Sequence, residues 1–292
     1  MSLAKLALIL VIGFSAQSAN AAPHGIYQTK KMQFLKTPSR GNLRYFGGPV
    51  ISNVKAVAVL WGANVKGETK QNIGGFLSAM VNSTYMDWLK EYNTNIKAVD
   101  GRDGTNQSIG RGSFVGTIAI SPTHTSNQLS DKDIQDEIEV QIAKGVLPKA
   151  DDNTIYMTYF PPGVSITIEG MKSCESFCAY HEGFNSQQNG NVFYGVMPDL
   201  GGSCSWSCGN SFNSLSSISS HELLEAVTDP FPTPADKPAY PQAWNDDSGN
   251  EIADLCSGAG TAVLHAPKRD YVVQKEFDNA TSSCASGPYQ AN

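Results

Sequence analysis

The run Ser219-Ser220-His221-Glu222-Leu223-Leu224-Glu225-Ala226-Val227-Thr228-Asp229-Pro230 constrains this chain more than any other stretch. Its spacing predicts a helix, with Leu223, Leu224, Ala226 and Val227 filling one arc at ~100° per residue. His221 and Glu225 then stand one turn apart on the same face, with Glu222 about a quarter-turn away. Pro230, followed by Pro232 and Pro234, ends the helix, because proline brings no amide donor and clashes with the preceding turn.

Residue types on the polar arc point to a chemistry. In H-E-x-x-H peptidases the side chains at i and i+4 bind zinc, and the intervening Glu activates a water. Here Glu225 replaces the second histidine, so His221 and Glu225 are the expected ligands and Glu222 the expected general base. On an exposed helix the same pair would contribute only tenths of a kcal/mol as an i, i+4 contact. The rest of the chain has to supply the context.

Residues 1–21 read as a secretory signal. Lys5 supplies the positive region, Leu6 to Phe14 the apolar one, and Ala19-Asn20-Ala21 an A-x-A cleavage site. That apolar run is shorter than the ~20 residues a bilayer requires, and no later stretch approaches it. The expected product is exported. Loss of Lys5 takes the formal net charge one unit below −6, and no basic block exists. Nucleic acid and an anionic membrane are therefore not the expected partners.

Six cysteines, Cys174, Cys178, Cys204, Cys208, Cys256 and Cys284, all fall in the second half. In an exported chain an even count implies three disulfides, although two C-x3-C pairs also suit a structural zinc cluster. Cys256 with Cys284 is the favoured bridge, since it pins the tail to the segment after the metal helix. The remaining four stay unassigned.

Strands are expected at Val54–Leu60, Ser113–Ile120, Thr154–Phe160 and Asn191–Met197. Helices are expected over 68–91, in two pieces, and from Ser130, which Asp133 would cap with Ile134, Ile138 and Ile142 inward. Val99–Arg111 reads as loop. Strands alternating with helices before a metal helix give an α/β class with a zincin-like mixed sheet and a disulfide-stabilised C-terminal part. Asn191–Met197 is the expected edge, where a peptide substrate would add as a further strand.

Downstream, Asp246-Asp247-Ser248-Gly249 is a turn signal, and Asn250 is placed to cap a short helix carrying Glu251 and Asp254. Zincins commonly take a third ligand from such a segment, so Glu251, Asp254 or Asp229 completes the set. A calcium site on Asp246, Asp247 and Asp254 is the other reading.

Tyr45-Phe46-Gly47-Gly48-Pro49-Val50 with Trp61-Gly62 resembles the opening of the phosphate-induced, or EXORDIUM-like, secreted proteins. Cys174, Phe177-Cys178-Ala179-Tyr180-His181 and the Cys204/Cys208 pair resemble that family's middle. His221-Glu222-Leu223-Leu224-Glu225 and Glu251-Ile252-Ala253-Asp254-Leu255-Cys256 resemble its C-terminal motifs. The resemblance implies an extracellular protein with one zincin-like domain.

Together these readings give a signal at 1–21, an N-terminal extension at 22–44 and a single domain at 45–292. The expected function is a secreted zinc-dependent hydrolase, most simply a metallopeptidase acting on a peptide or protein. Glu222 serves as base, and His181 as oxyanion donor or fourth ligand. The other class is a non-enzymatic extracellular binding protein of the same shape.

Overall fold

The computed structural model describes residues 25–33, 41–232 and 237–286; the expected signal at 1–21 lies outside them. Its centre is a six-stranded mixed sheet. In chain order the strands are β1 (Ile26–Gln28), β2 (Asn53–Trp61), β3 (Gly110–Ile120), β4 (Thr154–Tyr159), β5 (Phe177–Ser186) and β6 (Gly190–Met197). Across the sheet they run β1-β5-β6-β4-β2-β3. The strands β6, β4, β2 and β3 are parallel; β5 returns antiparallel on β6, and β1 lies antiparallel on β5.

Strand β2 shows why the sheet is covered on both faces. Ala56, Ala58 and Leu60 enter one core, while Val57, Val59 and Trp61 enter the other. A parallel strand buried on both sides reads as a continuous apolar run, as residues 54–60 do. Helices α1 (Gly67–Val81) and α3 (Phe212–Thr228) cover the first face, through Ile73, Phe76, Leu77 and Met80 and through Leu223, Leu224 and Val227. Helix α2 (Asp131–Ala143) covers the second through Ile134, Ile138 and Ile142, and starts at the expected capping box of Ser130 and Asp133.

Three expectations are corrected. Asn191–Met197 is not an edge: β6 lies between β4 and β5. The strand beyond it, β5, went unread because its cysteine, histidine and glycine residues hide an apolar pattern. The edge is instead taken by β1, so part of the expected N-terminal extension belongs to the sheet. Finally, Asn250 opens no helix over Glu251. The turn closes through Gly249 N–H on Asp246 O at 3.0 Å, and a single 3-10 turn follows at Asp254–Cys256.

All six cysteines are paired, as Cys174–Cys204, Cys178–Cys208 and Cys256–Cys284, which leaves none for a metal cluster. The last is the expected bridge. Three disulfides fit an exported protein. Among the described residues no helix is long and apolar enough to cross a membrane.

Helix α2 also carries Glu137, which is fully buried. Its carboxylate accepts from the N–H and hydroxyl of Thr123 at 2.7 and 2.6 Å, from His124 N–H at 3.0 Å and from the Gln141 amide at 2.6 Å. Burial alone would raise its pKa, but these donors overcome that and hold the carboxyl at about 2. Glu137→Ala strands several donors at once, and should lower stability in denaturant titration at neutral pH by about 2–3 kcal/mol. The difference should shrink as the pH falls through about 2, where the wild-type carboxylate is also lost.

Candidate metal centre

Helix α3 starts at Ser211, whose side chain accepts from Ser214 N–H at 3.2 Å, and every residue from Leu215 to Thr228 is buried. Its serines let neighbours approach closely. Ser216 Oγ donates to Val272 O at 2.7 Å, and Ser220 Oγ accepts from Gln274 N–H at 2.9 Å. The helix ends at Thr228, two residues before Pro230, with Asp229 N–H closing on Glu225 O at 2.7 Å.

The polar arc of α3 is therefore enclosed: His221, Glu222 and Glu225 have no exposed surface, and neither do His181 on β5, Asp229 or Glu251. The hydrogen-bond network fixes both imidazoles. His221 Nδ1 lies 3.2 Å from Gln274 Oε1, and Gln274 Nε2 donates to Ala253 O at 2.7 Å, so the amide oxygen faces the ring. Nδ1 thus carries the hydrogen, and Nε2 presents its lone pair 3.1 Å from Glu225 Oε2. His181 Nε2 lies 3.1 Å from the Asp229 carbonyl, which can only accept. Its Nδ1 lone pair consequently faces Glu222 Oε2 at 3.3 Å and Glu225 Oε2 at 3.8 Å. Both histidines are held by their far nitrogen in the way metal-binding histidines are.

A lone pair facing a carboxylate oxygen is repulsive unless a proton or metal ion lies between them. The titration behaviour shows that demand. Burial drives the His181 imidazole down to about 3, despite its bond to the Asp229 carbonyl. Burial also opposes charge on His221, but the adjacent Glu225 carboxylate, helped by Asp254, reverses this and raises its pKa. Burial, reinforced by the Glu225 charge, pushes Glu222 and Glu251 well above the carboxylate range. A protonated Glu222 is the donor that His181 Nδ1 needs.

Two donor groups share Glu225. One comprises His221, Glu225 and Asp254, the other His181, Glu222 and Glu225, with the ligand atoms of each group within 4.8 Å of one another. Of the candidates for a third ligand, Asp254 is the one grouped with His221 and Glu225, and its N–H also donates to Glu225 Oε1 at 3.0 Å. Glu251, expected as third ligand, belongs to neither group. Its Oε1 lies 3.5 Å from His181 Nε2, on the ring edge away from the other donors. His181 stands beside Glu222. Asp229 turns its carboxylate to Ala243 N–H at 2.8 Å and Asn245 Nδ2 at 2.5 Å.

Asp246, Asp247 and Asp254, the calcium reading, form no donor group with one another among the described residues. Asp246 accepts from Ser248 and Asn250 N–H at 2.8 Å each and from the Asn250 amide at 2.9 Å, while exposed Asp247 pairs with Arg44 at 2.6 Å. Two residues of the site had no signal in the sequence. Gln274, which orients His221, sits in a short C-terminal strand, and Tyr27 donates its N–H to Glu222 Oε1 at 3.1 Å. Compared with protein-family models, curated proteins and solved structures, the chain matches none of them.

The buried acids also set a pH dependence. Burial, only partly offset by its bonds to Asn245 and Ala243, raises Asp229 to about 7 from an ordinary 3.8. Between those values the folded chain holds a proton that the unfolded chain has lost, so stability falls as pH rises. Glu222 and Glu251 act in the same sense. His181, pushed down to about 3 by burial, opposes them below its ordinary 6.5, so melting temperatures in EDTA should drop from about pH 6.5 to about pH 8; a rise over that range would contradict the assignment.

Proposed function

We propose that this protein is an exported zinc-dependent hydrolase, most simply a metallopeptidase, in which His221 Nε2, Glu225 and Asp254 hold the metal. One observation carries the reading: each imidazole is pinned through one nitrogen so that the other aims its lone pair at buried carboxylates. An imidazole with carboxylates is a donor set that suits zinc. Zinc bound there would supply a Lewis acid and lower the pKa of a bound water.

The protein's own residues do the rest. Glu222 lies on the same turn as the ligand His221, hydrogen-bonded to His181, and is positioned to hold and pass a proton. His181 sets the orientation of that carboxyl. Gln274 keeps His221 in the tautomer whose Nε2 can ligate. The buried helix beneath a mixed sheet, and the motif resemblance to the phosphate-induced secreted proteins, support a zincin-like domain working outside the cell. The complete enclosure of the polar residues favours a second reading, an extracellular binding protein in which the cluster is structural.

Elemental analysis of the disulfide-intact protein separates the two. About one zinc per chain is expected, lost in His221→Ala and in Glu225→Gln, because an amide is a poor substitute for a charged ligand. Glu222→Gln should keep its zinc and its melting temperature, while any hydrolysis of a diverse peptide pool falls at least ~10²-fold. A metal-free wild type, or zinc retained undiminished in His221→Ala, would leave the structural reading standing.

A further inference from the structure

Strand β1 is three residues long and hydrogen-bonds to the sheet only through β5. Ile26 pairs with Tyr180 and Tyr27 with Ala179, His181 N–H donates to Gly25 O at 2.9 Å, and Thr29 N–H donates to Ser176 O at 3.1 Å. Between Tyr27 and Gln28 the register slips. At that point the Tyr27 N–H is turned to the Glu222 carboxyl, at 3.1 Å. The Tyr27 ring meets the His221 ring edge-on, with centroids 4.7 Å apart. One short strand thus reaches the acid–base residue through its backbone and a metal-site histidine through its side chain.

An extended peptide recognised by strand addition would lie in the same way, antiparallel on the sheet edge, with main-chain hydrogen bonds for affinity. We propose that Gly25–Gln28 occupies the groove in which an extended peptide substrate lies, and that the site opens only when this strand leaves β5. The proposal rests on reading the site as hydrolytic, and it names the regulation of that site as well as the substrate's form. Ile26 enters one core and Tyr27 packs against the other, but β1 is paired on one side only, whereas β4, β6 and β2 are each paired on both sides. The fit of β1 is close but local. A side chain at Gly25 would place its Cβ 2.9 Å from the His181 carbonyl and 2.8 Å from Pro232, at a φ of +72° that favours glycine.

Two variants loosen the strand. Tyr27→Pro removes the N–H that bonds Glu222, and Gly25→Val wedges the segment off His181 and Pro232. Diethyl pyrocarbonate labelling in EDTA, mapped by mass spectrometry, reads the site without requiring activity, and the exposed His265 serves as internal control. Wild-type His181 and His221 should be protected, and both variants, with near-ultraviolet circular dichroism unchanged, should label at least ~10-fold faster. Zinc-loaded variants should cleave a peptide pool at least ~10-fold faster than wild type. Faster labelling without cleavage keeps the strap and rejects the hydrolase. Equal protection in folded variants overturns the strap. Native-state hydrogen exchange on wild type covers variants that do not fold: the Tyr27 and His181 amides should exchange at least ~10-fold faster than those of β4 and β6. Exchange in step with the central strands would mean that β1 opens only on global unfolding, and the proposal would fail.

Discussion

The charge on Glu225 organises this molecule. It contributes to the titration of His221, Glu222, Asp229, Glu251 and Glu276, all of them buried. In a low-dielectric interior so many carboxylates cannot ionise together, and each either keeps its proton or requires a cation nearby. The structure places two imidazoles against that cluster and secures both by their outer nitrogens. What is conserved energetically is the balance: removing one charge shifts the protons on all the others.

The sheet determines where this balance can exist. Parallel strands buried on both faces supply a dry interior, and α3 delivers its polar arc into it one turn from the helix end. The serines of α3 matter as much as its acids. Ser216 and Ser220 bond directly to the backbone of the strand that carries Gln274, and so set the distance at which Gln274 meets His221. Larger residues there would push the orienting amide out of reach.

Much of this was legible in the sequence. The continuous apolar run at 54–60, the Ser130 cap and the terminating Pro230 each reflect a local rule that tertiary packing did not override. The H-E-x-x-E spacing and Asp254 point to residues that the fold brings within ligand distance of one another. Strand β5 was not legible, because its identity comes from partners on either side rather than from its own alternation. Glu251 is read differently for a related reason: proximity in sequence to Asp254 says nothing about direction, and the Glu251 carboxylate lies at the Nε2 edge of His181 while Asp254 joins His221 and Glu225. No pattern marks Tyr27 or Gln274, since their contacts to the site join segments about 195 and 53 positions apart in the chain.

The two disulfides Cys174–Cys204 and Cys178–Cys208 link positions 30 residues apart in sequence, side by side. They rivet the start of β5 to the turn that launches α3, and His181 lies just three residues beyond Cys178. A reduced chain can still form the strand and the helix, but it lacks the covalent gauge that fixes their separation. The spacing between His181 and Glu222 is therefore tied to sulfur oxidation. Reduction of these two bridges would loosen the hold of β5 on the segment before α3 and, with it, the placement of the buried His181.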